Sequence, residues 1–195
     1  MQIQRLGVVG AGAMGSGIAQ LSASMGLEVR VFDADSAVLE TALETIAGRL
    51  VRQDNKDPSA AGQALKRLVA VAALEELAWA DMVIEAVPER LDLKLDIYAR
   101  LDRCCQPGAV LASNTSGLDI DQLAAATLRP DAVVGMHFFN PPPRMPLVEL
   151  VRGAATADSV FEAAVSLARR LGKTPIEVAN RPGFAVNRIL MPMIN

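Results

Sequence analysis

The sequence predicts an α/β fold: a Rossmann-type, doubly wound, mostly parallel sheet with an antiparallel extension near its C-terminal part. Three observations carry that prediction. The β-branched run Leu6 to Val9 leads directly into Gly10-x-Gly12-x-x-Gly15 and then into helically spaced Met14, Ile18, Leu21 and Met25, the strand–turn–helix context in which this glycine spacing has meaning. Strand-like and helix-like stretches then alternate as far as Phe139, which calls for parallel strands joined by helical crossovers. Beyond Phe139 the alternation fails, because Pro141-Pro-Pro143 separates two strand-like runs and reads as a loop between antiparallel neighbours.

Composition bounds the answer. The chain has 195 residues, 51% hydrophobic and 21% charged, which suits one α/β domain plus a small extension. Its formal charge of −3 is spread over mixed signs with no basic stripe, which argues against a nucleic-acid partner. No apolar run approaches the roughly 18 residues of a membrane span. The first strand starts within a few residues of Met1, leaving no room for a leader. The two cysteines, Cys104 and Cys105, are adjacent and badly placed for an ordinary disulfide, so a reducing cytoplasm is the expected location. Without a Cys/His cluster no metal site is expected.

Each element follows from its pattern. Leu27 to Phe32 reads as the second strand and ends at Asp33. Ser36 to Gln53 is helical through Val38, Leu39, Leu43, Ile46 and Leu50, and Asp54 to Gly62 breaks it with turn formers, predicting an exposed tip. A short helix over Gly62 to Arg67 and a strand over Leu68 to Ala72 follow, then a helical turn at Glu75 to Trp79. Asp81 to Val87 is a buried strand, Arg90 to Cys104 a helix, and Ala109 to Ser113 a strand with Asn114-Thr-Ser-Gly117 as its carboxyl-end loop. A short helix at Ile120 to Ala126 leads to the strand Ala132 to Phe139. Leu147 to Val151 is the returning strand, Thr156 to Leu171 a helix, Pro175 to Ala179 the last strand, and Ala185 onward the start of another helix.

The first loop has physical requirements that glycine meets. Gly10 permits the tight turn, Gly12 admits a pyrophosphate against the backbone, and Gly15 lets helix and strand pack closely, while the helix N–H groups face the anion. Asp33 lies 18 residues after Gly15, where a carboxylate accepts from adenosine ribose hydroxyls and repels a 2′-phosphate, favouring NAD over NADP. Its structural alternative is to cap the helix starting at Ser36, a role open equally to Asp35 or Ser36. Further on, a hairpin loop centred on Pro143 puts His137, the one histidine, opposite Glu149. A carboxylate accepting one ring N–H fixes the imidazole tautomer and orients the free nitrogen as a general base. The alternative is a core histidine and a solvated glutamate.

Gly7 to Ala19, Asp81-Met-Val-Ile-Glu-Ala-Val-Pro-Glu89, Ser113-Asn-Thr-Ser116, Gly135-Met-His-Phe-Phe-Asn-Pro141, Leu147-Val-Glu149 and Pro182-Gly-Phe-Ala-Val-Asn-Arg188 together resemble the 3-hydroxyacyl-CoA dehydrogenase family across essentially the whole chain. The resemblance implies NAD-dependent, reversible oxidation of the L-3-hydroxyl of an acyl-CoA, with His137 as base and Glu149 as its partner. It implies that Ser116 and Asn187 hold the reacting oxygen, that Asn140 lines the same site, and that Glu89 and Lys94 lie near the nicotinamide half of NAD, whose pyrophosphate meets Gly10, Gly12, Ala13, Met14 and Gly15. It places part of the CoA contact at the tip around Lys56, with Arg49 and Arg52 nearby, and implies a homodimer. Each role has a plainer alternative: Ser116 as a helix cap, Asn187 as a bond to local backbone, Glu89 and Lys94 as surface charges, the basic residues as a solvated face.

Three positions depart from the family pattern. Gly117 stands where a second serine is usual, Arg144 where a small apolar residue is common, and Pro146 where lysine is frequent, which leaves acyl specificity open. The expected organisation is a dinucleotide-binding domain over residues 1–183 and, over 184–195, the first turns of a helix leading to a further helical domain for dimerisation and substrate. A chain lacking that domain is expected to bind NAD more securely than it turns over. Two other functions compete: a sugar-acid dehydrogenase acting on L-gulonate, compatible with Pro146-Leu-Val-Glu149, and a nucleotide-binding module without turnover.

Overall fold

A computed structural model describes residues 1–53 and 58–194. Among the described residues, eight strands form one sheet in the order β3-β2-β1-β4-β5-β6-β7-β8. The N-terminal half contains β1 (Arg5–Val9), α1 (Ala13–Ser24), β2 (Glu28–Phe32), α2 (Ser36–Gln53), α3 (Pro58–Lys66) and β3 (Leu68–Ala70). A 3-10 turn over Leu74–Trp79 precedes β4 (Met82–Glu85), α4 (Leu91–Cys104) and β5 (Val110–Ser113). Then come α5 (Ile120–Ala124), β6 (Val133–Phe138), β7 (Leu147–Val151), α6 (Asp158–Arg170), β8 (Thr174–Val178) and α7 (Val186–Ile194). The strands from β3 to β6 run parallel, β7 runs antiparallel to β6, and β8 parallel to β7.

Strand alternation divides the apolar residues between two cores, one on each face of the sheet. Met82, Ile84, Val134, Met136 and Phe138 face the layer of α1 and α6. Val83, Leu111, Val133 and Val151 face α4 and α5, where Ile97, Tyr98 and Leu101 meet them. Strands covered on both sides read as continuous apolar runs, which is why β1, β4, β5 and β6 stand out in the sequence.

Two prolines within regular elements are instructive, and at the first of them the element limit differs from the sequence reading. The helix α3 begins at Pro58, within the stretch expected to be a turn. Proline suits the first helical position because its missing N–H has no intrahelical partner there. The edge strand β8 includes Pro175, paired with Val148, and an edge tolerates the missing donor on its open side. Among the described residues no helix is long and apolar enough to cross a membrane. Cys105 is buried and free, and burial pushes its thiol up to about 12, with the neighbouring Cys104 adding to the shift.

Candidate active site

The carboxyl ends of β1, β2, β4, β5 and β6 all open on one edge of the sheet, and two adjoining clefts lie there. The larger, about 630 Å3, runs over Gly10, Gly12, Asp33, Val87 and Leu93. Gly10 has φ +97°, and a Cβ on Gly15 would lie 1.8 Å from the Gly10 carbonyl oxygen, so neither position tolerates a side chain without movement. A Cβ on Gly12 would meet nothing within 4 Å. That open side is where a phosphate can approach the α1 N-terminus. Asp33 stands at the end of β2 with Oδ2 accepting from the Ala11 amide at 2.7 Å and Oδ1 from the Asp35 amide at 3.0 Å. Asp35, not Asp33, caps α2 by accepting from Ala37 at 2.9 Å. The cleft therefore combines an anion-binding turn with a carboxylate one strand away, and its residues fit a dinucleotide.

The second cleft, about 300 Å3, is lined by Met14, Glu89, Asn114, Ser116, His137, Asn140 and Asn187, among others. His137 and Glu149 occupy the same register position of β6 and β7, and Nδ1 lies 2.7 Å from Glu149 Oε2. Glu149 is fully buried and His137 is 7% exposed. The other carboxylate oxygen, Oε1, accepts from the amides of Ala185 and Val186 at 3.0 and 2.8 Å. Those amides are aimed by the preceding turn, in which Gly183 and Phe184 both have positive φ, 75° and 47°. For phenylalanine the left-handed region costs about 1–2 kcal/mol, offset by burial of its ring near the imidazole, 6.0 Å between centroids. With Nδ1 donating to Glu149, Nε2 is the free ring nitrogen.

Across the cleft, Glu89 Oε1 accepts from Thr115 Oγ1 at 2.5 Å, the Ser116 amide at 2.8 Å and Ser116 Oγ at 3.1 Å. Burial opposes the charge of Glu89, but these bonds and the Lys94 ammonium outweigh it and hold the carboxyl below the usual range. Ser116 does not cap α5; Asp119 does, accepting from the Asp121 amide at 2.9 Å. Asn187 Nδ2 donates to the Ser116 carbonyl at 3.1 Å, so α7 and the β5 loop meet at this residue pair. Lys94 does not line either cleft. It is 1% exposed, with Nζ 2.6 Å from Glu85 and 3.3 Å from Glu89, so its ammonium reaches the cleft only through Glu89. Asn140 sits at the cleft rim, followed by a proline loop whose Pro142 and Met145 carbonyls accept from the buried Lys173 ammonium at 2.6 and 2.9 Å. Lys56 lies outside the described residues.

The sequence reading missed Thr115, Asn114, Glu85 and Lys173. Thr115, Asn114 and Glu85 stood inside the quoted motifs but carried no assigned task. Asn114 Oδ1 accepts from the Phe138 amide at 2.9 Å, tying the β5 loop to the end of β6.

The arrangement has known counterparts. The family described as 3-hydroxyacyl-CoA dehydrogenase, NAD binding domain, matches residues 5–181. The chain belongs to the 3-hydroxyacyl-CoA dehydrogenase family. It is an NAD-dependent oxidoreductase of that family, and NAD is its cofactor. It is 43% identical to a probable 3-hydroxybutyryl-CoA dehydrogenase of Bacillus subtilis, covering 100% of this chain and 69% of the relative. It is 44% identical to the 3-hydroxybutyryl-CoA dehydrogenase of Bradyrhizobium diazoefficiens, covering 99% and 67%. The crystal structure of (S)-3-hydroxybutyryl-CoA dehydrogenase from Ralstonia eutropha superposes with a TM-score of 0.95 at 44% identity, over 100% of this chain and 70% of that one.

Proposed function

We propose that this dehydrogenase oxidises the L-3-hydroxyl of a short acyl-CoA to the 3-ketone, reversibly, with His137 as general base. The observation that carries the reading is the His137–Glu149 contact of 2.7 Å inside a cleft that Ser116, Asn140 and Asn187 also line. Bound NAD supplies the hydride acceptor. Nε2 of His137 takes the hydroxyl proton during oxidation and returns it during reduction, while buried Glu149 keeps the ring in the tautomer that can do so. Ser116 Oγ and the Asn187 and Asn140 amides, which line the same cleft, hold the reacting oxygen in this reading, a positioning role that makes hydride and proton transfer effectively unimolecular. Gly10, Gly12, Ala13, Met14, Gly15 and Asp33 receive the dinucleotide, with Glu89 at its nicotinamide end and Lys94 acting on it through Glu89.

A third cavity, about 540 Å3, supports the carrier assignment. Arg49, Arg52 and Arg144 line it, beside Pro141 and Pro143 of the loop that follows Asn140. Among the described residues none of the three guanidinium groups has an ion-pair partner. Unpaired guanidinium groups suit phosphates, and CoA brings its phosphates to the end of a chain anchored at the catalytic cleft.

The test is NADH formation with L-3-hydroxybutyryl-CoA and, separately, with L-gulonate. Turnover of the thioester alone supports the proposal; turnover of gulonate alone, or NADH binding with neither reaction, overturns it. His137→Ala should leave NADH affinity within about threefold and lower kcat by at least about 10^3. An equal loss of binding and turnover would remove His137 from the role of base.

A further inference from the structure

Glu85 is the last residue of β4, has no exposed surface, and lines neither cleft. Alternation along β4 turns Val83 and Glu85 toward α4, and the β5 residue paired with Glu85 is Ser113, so the two side chains stand beside each other on that face. A carboxylate with no access to water persists only where each oxygen has donors. Here Oε1 accepts from Lys94 Nζ at 2.6 Å and from the Val87 amide at 2.8 Å, and Oε2 accepts from Ser113 Oγ at 2.8 Å.

Both partners pass the arrangement onward. Lys94 has three N–H donors and three oxygens around them: Glu85 Oε1 at 2.6 Å, the Val87 carbonyl at 3.3 Å and Glu89 Oε2 at 3.3 Å. The ammonium donates to Glu85 and to the Val87 carbonyl and forms an ion pair with Glu89, so its place between the two carboxylates is set by both of them. Ser113 Oγ in turn accepts from the Thr115 amide at 3.2 Å. Thr115 and Ser116 close the circuit, since both donate to Glu89 Oε1. Two strand-end loops, one carrying Glu89 and the other Ser116, are thus fastened to one buried carboxylate behind them.

We propose that Glu85 is a positioning residue of this active site: through Lys94 it sets where Glu89 holds Ser116, and through Ser113 it fixes the Thr115 amide of the same loop. The inference concerns a group that lines neither cleft and rests on the reading that the His137 cleft carries out the hydroxyl oxidation. In Glu85→Gln the side chain keeps its shape but loses its charge. Glu89 is then the one carboxylate left beside the Lys94 ammonium, and Oε2 is drawn toward it and away from the geometry that holds Ser116.

Amide hydrogen exchange measures this without turnover. In Glu85→Gln the Ser116 amide should exchange about tenfold faster or more than in the unaltered chain, while amides in the middle of β1 and β5 keep their rates. With turnover, kcat for L-3-hydroxybutyryl-CoA should fall about 10–100-fold, with NADH affinity and the KM for the thioester within about threefold, as expected when a group is misplaced and not removed. Ser113→Ala tests the second arm should Glu85→Gln fail to fold: the Thr115 amide should lose protection while the Val87 amide, bonded directly to Glu85, keeps it. Unchanged exchange at Ser116 in folded Glu85→Gln, an equal rise at every strand amide, or unchanged exchange at Thr115 in Ser113→Ala overturns the assignment. Absence of turnover in the unaltered chain speaks against the proposed reaction alone, because the exchange rates do not depend on it.

Discussion

Replacing Glu149 by glutamine barely changes volume, yet it changes which atom faces His137. Oε1 accepts two amides, Ala185 at 3.0 Å and Val186 at 2.8 Å, so the new side chain must turn its carbonyl to that side; its NH2 there would set donor against donor. The NH2 then faces Nδ1, where Oε2 had been 2.7 Å away. Nδ1 becomes the acceptor and the ring proton moves to Nε2, the nitrogen that has to accept the substrate's proton. An equivalent tautomer inversion in a serine-protease triad costs about 10^4 in kcat. A loss of about 10^3–10^4 is expected here, about 4–5.5 kcal/mol in the barrier. Raising the pH should not restore activity, because the defect is the place of a proton and not its presence. Stability should fall by only about 1–2 kcal/mol, the difference between charge-assisted and neutral bonds. The assay is NADH formation from L-3-hydroxybutyryl-CoA over a pH series, with NADH affinity and a melting curve on the same preparation. A kcat within tenfold of the unaltered chain, or NADH affinity lost in proportion to turnover, would refute the argument.

Other perturbations separate folding from binding. Gly15→Ala places a Cβ 1.8 Å from the Gly10 carbonyl oxygen and should cost about 1–3 kcal/mol by urea unfolding; Gly12→Ala meets open space and should melt normally yet bind NADH about tenfold more weakly, the methyl standing where the pyrophosphate approaches. Asp33→Ala should weaken NADH binding and narrow the preference over NADPH, and unchanged discrimination by fluorescence titration would contradict its ribose role. Burial works against the charge of Asp81, but Arg5 and the Gln4 and Arg5 amides outweigh it and hold the carboxyl below its ordinary value. A depressed folded pKa contributes stability that is complete above the unfolded value near 4 and is lost as pH falls through the folded value. Asp81→Asn should therefore flatten the acid side of a stability–pH curve below about pH 4, and an unchanged curve would count against the Arg5 contact.

The sheet was legible because its signals are local. Apolar runs such as Val83-Ile84, the glycine turn and the breakers between elements report backbone preference at short range. The His137–Glu149 pairing rested on an assumed register, a loop centred on Pro143, which is the register β6 and β7 adopt; a one-residue slip would turn Glu149 to the opposite face. What stayed hidden was long-range and polar. Lys94 falls at helical spacing with Ile97, Tyr98 and Leu101 of the buried face of α4, but a lysine in that pattern names no partner and equally suits a surface charge. Its inward turn depends on Glu85, nine positions earlier and on a different element. Lys173 was silent likewise, because its acceptors are backbone carbonyls 28 and 31 residues away, and carbonyls carry no sequence signature. The start of α3 was misplaced because a proline can open a helix as well as break one.

For the proposed reaction, the reversal of β7 is the step that adds a catalytic pair to a dinucleotide fold. In the parallel half, β1, β2, β4 and β5 carry Gly10, Asp33, Glu89 and Ser116 in the loops past their carboxyl ends. A loop residue is placed by neighbours, as the bonds around Glu89 illustrate. The proposed base, which must keep one tautomer, needs a firmer partner, and the antiparallel ladder provides it. β7 re-enters the sheet from the carboxyl edge, so Glu149 sits within a strand, paired by register with His137 and buried on both sides. β8 then runs parallel to β7, and the segment after it reaches Glu149 with two amides at the start of α7. The carboxylate is thereby held from a strand on one side and a helix start on the other. Shifting the α7 start, for instance by Gly183→Val at φ +75°, should impair turnover through Glu149 while leaving the dinucleotide cleft, built entirely from other elements, able to bind NADH.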